Sequence, residues 1–235
     1  MPERFIFLSL GFIATLTQTI LIRALMNRLG GSELAVGLAI SGWLLLSGIV
    51  SLASGKFIDR STVKSRLLIL LMAALPLAPS SGLWLMMQTP EWLGVTYGAV
   101  PSPLEFTLCA WLTAMPSALL LGVAFNLCVT FVGKGFKASI KSVYLHQALG
   151  AAVGGFLTAW LLLEVVSSIG LLWIILAICA VAAIWTALAA GKKENSVAVA
   201  AIILLAAGAV LLFELDGAWR LPAGVDPSQI KLVKE

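Results

Sequence analysis

Apolar residues fill seven stretches of the chain, at about 5–28, 33–56, 66–88, 104–132, 140–164, 169–190 and 196–215, with polar and charged residues gathered between them. Crossing about 30 Å of hydrocarbon takes an α-helix roughly 20 residues at 1.5 Å each, and every stretch meets that length. The pattern predicts an all-α, polytopic membrane bundle of about seven transmembrane helices over 1–215. A short polar tail is expected at 216–235. The connections are short, apart from a Pro-rich one at 89–103, and leave no room for a soluble domain between spans. The first stretch stands where a signal peptide would. Its apolar run is longer than a typical signal core and no small-x-small cleavage site follows, so it reads as a membrane helix.

Composition agrees with the pattern. Charged residues make up 11% of the chain and hydrophobic ones 60%, at a mean hydropathy of +1.05. A soluble domain carries roughly 25% charged residues, so too little charge is available here to build a wetted surface. The net charge of +4 raises the question of nucleic acid, but the basic residues sit in a topological pattern. Arg4, Lys56, Arg60, Lys64, Arg66, Lys134, Lys137, Lys141, Lys192 and Lys193 all fall on one set of connections. The opposite set carries Arg28 among Glu33, Glu91, Glu105 and Glu164. Positive charge marks cytoplasmic loops, which places the N-terminus inside a bacterial-type plasma (inner) membrane and, after seven crossings, the C-terminus outside. Trp84, Trp92, Trp160, Trp173 and Trp219 fall near the outer boundary, as an interfacial belt would. The expected partners are the lipid bilayer and a protein or a second copy of the chain, with no nucleic acid.

Polar residues inside the spans are costly in lipid unless they face protein, water or headgroups. In the first span Thr15, Thr19 and Arg23 recur every fourth residue, with Gln18 on the same broad face, so the stripe is expected to face the bundle. Arg23 lies within about one turn of the outer boundary, where it can snorkel. Interhelical hydrogen bonding and substrate contact both fit this stripe. Pro116, near the centre of the fourth span, is expected to kink it, and Asn126 lies further toward the cytoplasm. Tyr144, His146 and Gln147 cluster in the first turns of the fifth span. A lone histidine there reads as a hydrogen-bonded structural residue or as a proton carrier.

Small residues recur at helical spacing in the second span (Gly37, Ser41, Gly48, Ser51, Gly55) and in the fifth (Gly150, Gly154, then Gly155), which predicts close helix packing. Glu105, Glu164 and Glu214 lie near outer ends, and the lack of an acid at mid-membrane counts against a cation-coupled carrier. Cys109, Cys128 and Cys179 are scattered through apolar runs and suit neither a disulfide framework nor a metal site. The chain contains no HExxH, GxSxG, Walker or GxGxxG motif, so no catalytic, cofactor-binding or metal-binding residue and no cofactor is expected.

Four stretches, in order, resemble the membrane portion of spermidine synthase-like (polyamine aminopropyltransferase-like) membrane proteins. Gln18, Arg23 and Gly30-Gly31-Ser32 are similar to the family's first helix and the turn after it. "GKFIDR", with Gly55, Asp59 and Arg60, resembles the Gly-x-x-x-Asp-Arg that ends its second. "PSALLLGVAFN" resembles its Pro-containing helix, with Asn126 where the family tends to have proline. "YLHQALGAAVGG" is similar to its Tyr-x-x-Asn-Thr-Leu-Gly-Ala helix, with Gln147 in place of asparagine. The resemblance covers about 5–185. In that family a soluble synthase-like domain usually follows, and here "QIKLVKE" looks like its lead-in, so the chain is expected to be the membrane module alone. The resemblance then implies a non-catalytic membrane subunit or anchor that organises a partner protein or complex. The alternative is a half-size transporter of a polyamine or related metabolite, since Gly55, Asp59 and Arg60 also resemble a major-facilitator loop. A membrane-embedded enzyme using Tyr144, His146 and Gln147 is a third, weaker reading.

Overall fold

The computed structural model describes residues 2–29, 33–59, 64–95, 101–131, 136–162, 168–190 and 195–220, and over these the chain is helical with no strand. The elements are α1 (Pro2–Leu29), α2 (Glu33–Asp59), α3 (Lys64–Ala74), α4 (Leu77–Trp92), α5 (Pro103–Phe131), α6 (Phe136–Leu157), α7 (Ser168–Ala190) and α8 (Asn195–Arg220). A π-helical turn, Thr158–Leu162, continues α6. Four stretches are long and apolar enough to cross a membrane: Arg4–Leu29, Val36–Gly55, Arg66–Trp92 and Pro103–Thr130. Gly170–Trp185 and Val199–Val210 are shorter apolar helices. The protein is an all-α bundle whose long apolar helices fit a multi-pass membrane protein.

Local chemistry sets the helix boundaries. The third stretch, expected as one helix, is broken between α3 and α4. Leu75 still donates its N–H to the Leu71 carbonyl (2.9 Å), but Pro76 has no N–H to give. The chain tightens through an Ala78 N–H to Leu75 carbonyl bond (3.2 Å) before the helix resumes. At its far end α4 stops at Gly94, the one glycine with positive φ (71°) among the described residues. The Val95 N–H reaches back to the Pro90 carbonyl (2.9 Å), which satisfies an orphan acceptor of the last turn. Helix α5 opens on a reciprocal cap. The Ser102 N–H donates to Glu105 Oε2 (2.7 Å), and the Glu105 N–H donates to Ser102 Oγ (3.3 Å). Pro116 lies inside α5, which runs on unbroken to Phe131. At the other end of the chain, α8 continues past position 215 to Arg220. Positions 221–235, most of the expected tail, lie outside the described residues.

Helix α1 is the hub. It packs against α2, α4, α5, α6 and α7, and Phe7, Leu10, Ile13, Leu16 and Ile20 are buried along it. Two pairings are closest, α1 with α6 and α2 with α5. In the first, Leu8 meets Gly150, Phe12 meets Gly154 and Thr15 meets Gly155. In the second, Leu38 meets Trp111, Ser47 meets Gly122 and Ser51 meets Asn126. Positions climb together in both, so each pair runs parallel. The first and fifth stretches share a direction, as do the second and fourth, which is what chain reversal at every connection requires.

Glycine makes these approaches possible. A Cβ at Gly150 would fall on the Leu8 carbonyl, and one at Gly11 on the Gln147 carbonyl. Gly154 is likewise held against Phe12. Of the small-residue stripe expected to pack α2, Ser51 meets Asn126 of α5, while the others do not face a neighbouring helix. A Cβ at Gly37, Gly48 or Gly55 would meet nothing within 4 Å, and Ser41 is exposed. The packing glycine of α2 is Gly42, which admits the Trp111 ring. The outward stripe belongs to a face that also exposes Leu44, Ile49 and Leu52.

Candidate functional site

Half-buried polar side chains on the α2–α5 seam form hydrogen bonds between the two helices. Asn126 donates through Nδ2 to the Ser51 carbonyl and to Ser54 Oγ (2.8 Å), while Ser51 Oγ donates to Asn126 Oδ1 (3.4 Å). One carboxamide thus bridges two helices with both of its ends used. Fifteen positions earlier on α5, about 22 Å at 1.5 Å per residue, Trp111 Nε1 donates to the Leu38 carbonyl (3.3 Å). The seam is therefore pinned at both ends. Between the pins Gly122 lets α5 close on Ser47 and Val50. Interhelical side-chain bonds average about 0.6 kcal/mol in membranes and reach about 1.7. Asn126→Leu is accordingly expected to cost about 1–3 kcal/mol, seen as a lower melting temperature in mild detergent with helix content retained. An unchanged melting temperature would remove the clamp from the account.

The first-span stripe is half-buried, and its hydroxyls bond their own helix: Thr15 Oγ1 to the Gly11 carbonyl (3.2 Å) and Thr19 Oγ1 to the Thr15 carbonyl (2.9 Å). Gln18, for which interhelical bonding was one of the two expectations, makes no hydrogen bond among the described residues. It lines a narrow cleft with Leu21, Ala39, Trp43, Ala110 and Ala114, where α1, α2 and α5 meet. The cleft has room for about one water. Arg23 is half-buried, and its Nη1 is buried without a hydrogen-bond partner. Arg28 is tied to a neighbouring helix, donating to the Met87 carbonyl (3.4 Å).

Tyr144, His146 and Gln147 do not converge. Tyr144 is exposed. His146 Nδ1 lies 2.7 Å from the Ser142 carbonyl, which can only accept, so Nδ1 carries the proton; its ring lies edge-on to Phe7 at 6.4 Å. Gln147 presents its backbone carbonyl to Gly11. Gly55 and Asp59 end α2, with Gly55 facing open space, and Arg60 lies outside the described residues. Cys109, Cys128 and Cys179 are buried and unpaired. No group of three His, Cys, Asp or Glu side chains is placed to hold a metal among the described residues.

Sequence reasoning passed over Gly11, Gly42, Gly122, Ser54 and Trp111. Their only advance signal was small size or an indole N–H in an apolar run, which many other positions share. Comparison with family models, with curated proteins and with solved structures returns no match.

Proposed function

We propose that this chain is a non-catalytic membrane module, a scaffold or anchor subunit that holds a partner protein at the membrane in a spermidine synthase-like system. One observation carries the reading: the polar groups that hold hydrogen bonds inside the bundle use them on helices rather than on a passage. Asn126, Ser51, Ser54 and Trp111 fasten α2 to α5, Thr15, Thr19 and Thr158 bond their own turns, and the cleft at Gln18 is water-sized. Catalysis on a polyamine belongs, in this reading, to the partner. The chain sits in a bacterial-type inner membrane with its basic connections in the cytoplasm, as the distribution of Lys and Arg supports.

A second reading, a half-size carrier of a polyamine or related metabolite, is favoured by the break at Pro76, because interrupted helices build many transporter sites. Gln18→Leu separates the two. The scaffold reading expects normal abundance, a melting temperature within a few degrees of wild type, and no saturable spermidine uptake by liposomes carrying either protein. Uptake by wild type that disappears in a folded Gln18→Leu protein would replace the scaffold with the carrier. A mild-detergent pull-down should in addition retain a synthase-like soluble chain in fixed stoichiometry through gel filtration.

A further inference from the structure

Most buried hydroxyls of the bundle bond the chain just behind them. Ser9, Ser80, Thr89 and Thr158 each donate to the carbonyl four residues back. Thr17, Thr113 and Ser117 are no less buried, at 1%, 0% and 1% exposure. Their hydroxyls nevertheless have no hydrogen-bond partner among the described residues. A buried hydroxyl in that state costs stability, and here three of them share one neighbourhood.

Gly82 of α4 is held against the Thr113 carbonyl and the Leu21 side chain, so α1, α4 and α5 share a level there. Helix α1 ends at Leu29, α2 begins at Glu33 and the two pack together, so they run in opposite directions. Helix α5 is parallel to α2 and hence antiparallel to α1. One turn back from Leu21 on α1 is Thr17, and one turn on from Thr113 on α5 is Ser117. Both steps move about 6 Å in the same direction, and residues four apart share a helix face. Thr17 and Ser117 therefore fall at one level, on the faces that α1 and α5 turn toward α4, with Thr113 one turn away. Helix α4 runs with α1, as the Leu21–Gly82 and Arg28–Met87 contacts require. One turn before Gly82 it offers only Ala78, which is small and buried. That is the first turn of α4, just past Pro76, where no side chain caps the helix.

We propose that Thr17, Thr113 and Ser117 form a binding site for one ordered water, which joins α1 to α5 beside the start of α4. A buried water typically makes about three hydrogen bonds to polar groups that lack other partners, and three such groups are present. Each hydroxyl can both donate and accept, as water does. None of the three carries a charge, so an ion in their midst would keep its desolvation cost. The water ties two helices together at the level where the third stretch is interrupted. The site stands whether the chain is a scaffold or a carrier.

The test begins with the full wild-type chain in nanodiscs, in a density map fine enough to resolve ordered water. One peak is expected within about 2.7–3.2 Å of all three hydroxyl oxygens. Thr17→Val, Thr113→Val and Ser117→Ala keep the side-chain shapes close to the originals and each remove one partner. Each alone should lower the melting temperature by about 2–4 °C, because the water and the other two hydroxyls are left short of a bond. The triple variant removes every polar group of the site, so it should melt higher than the sum of the single shifts implies. Single variants that are neutral or stabilising, with additive shifts, would overturn the proposal, since hydroxyls without a shared water gain or lose nothing together. A map with no peak at the site would overturn it without any variant. So would a melting temperature that rises in sodium chloride over choline chloride in wild type but not in Thr17→Val, which would make the occupant a cation.

Discussion

Gly150→Leu should leave no stable bundle, whereas Gly48→Leu should be nearly silent. The two glycines look alike in sequence, both in apolar spans and both within runs of small residues. They differ in what a side chain would meet. At Gly150 the first added carbon already falls on the Leu8 carbonyl, a backbone atom that cannot turn aside, and the neighbouring contact of Gly11 with Gln147 prevents α1 and α6 from sliding to relieve it. Overpacking of a tight core costs about 1–3 kcal/mol, and a clash with backbone belongs at or above the top of that range. Because α1 touches five other helices, displacing it disturbs every layer. Loss of the monodisperse gel-filtration peak and a large fall in membrane abundance are expected for Gly150→Leu, and the same for Gly11→Leu. Gly48→Leu adds apolar surface to a position with open space around it. Equal tolerance of Gly150→Leu and Gly48→Leu would mean that α1 and α6 do not approach as described.

The second large effect belongs to the Gly42–Trp111 contact. A Cβ at Gly42 would lie inside the Trp111 indole, and the same ring gives its N–H to the Leu38 carbonyl. Trp111→Ala removes the ring and leaves a void; aromatic truncations of this kind cost about 3–5 kcal/mol when the side chain is fully buried. Trp111 is half-buried, so about 2–3 kcal/mol is the expected loss. Gly42→Leu should also destabilise, because the side chain would displace the indole from its bond to the Leu38 carbonyl. Combined, the leucine occupies space that the alanine vacates, so the double variant should melt higher than the sum of the single effects implies. Strict additivity in this cycle would show that the two residues do not share that space.

The helical stretches were legible because length and hydropathy alone determine them, whereas the Ser102–Glu105 cap that starts the fourth emerges only from the structure. Which face of each helix packs was not legible. In a soluble protein the buried face is the apolar one, but lipid is as apolar as a leucine, so α2 carries leucine and glycine on the side that meets nothing as well as on the seam. That is why Gly37, Gly48 and Gly55 read as packing residues and Gly42 did not. The prolines differ in their effect on helix continuity. Pro116 removes one N–H from a long helix whose neighbouring turns remain bonded, and the helix continues. Pro76 falls in the two-residue turn between α3 and α4, and Pro79 in the first turn of α4, where its missing N–H costs little. Gln18 and Arg23 are half-buried, and a hydrogen-bond partner depends on the neighbouring helix, which a single segment's periodicity does not reveal.

The proposed topology, seven alternating crossings, is consistent with the parallel α1–α6 and α2–α5 pairs, which fix the relative direction of the first and fifth and of the second and fourth stretches. Cysteine accessibility at Ser61 and Ser228 tests it most directly, in a background where the three buried native cysteines are replaced by alanine. A membrane-impermeant maleimide should label Ser228→Cys in intact cells and Ser61→Cys only after permeabilisation. Labelling of both positions from the same side of the membrane would contradict the odd count, and with it the seven-crossing bundle.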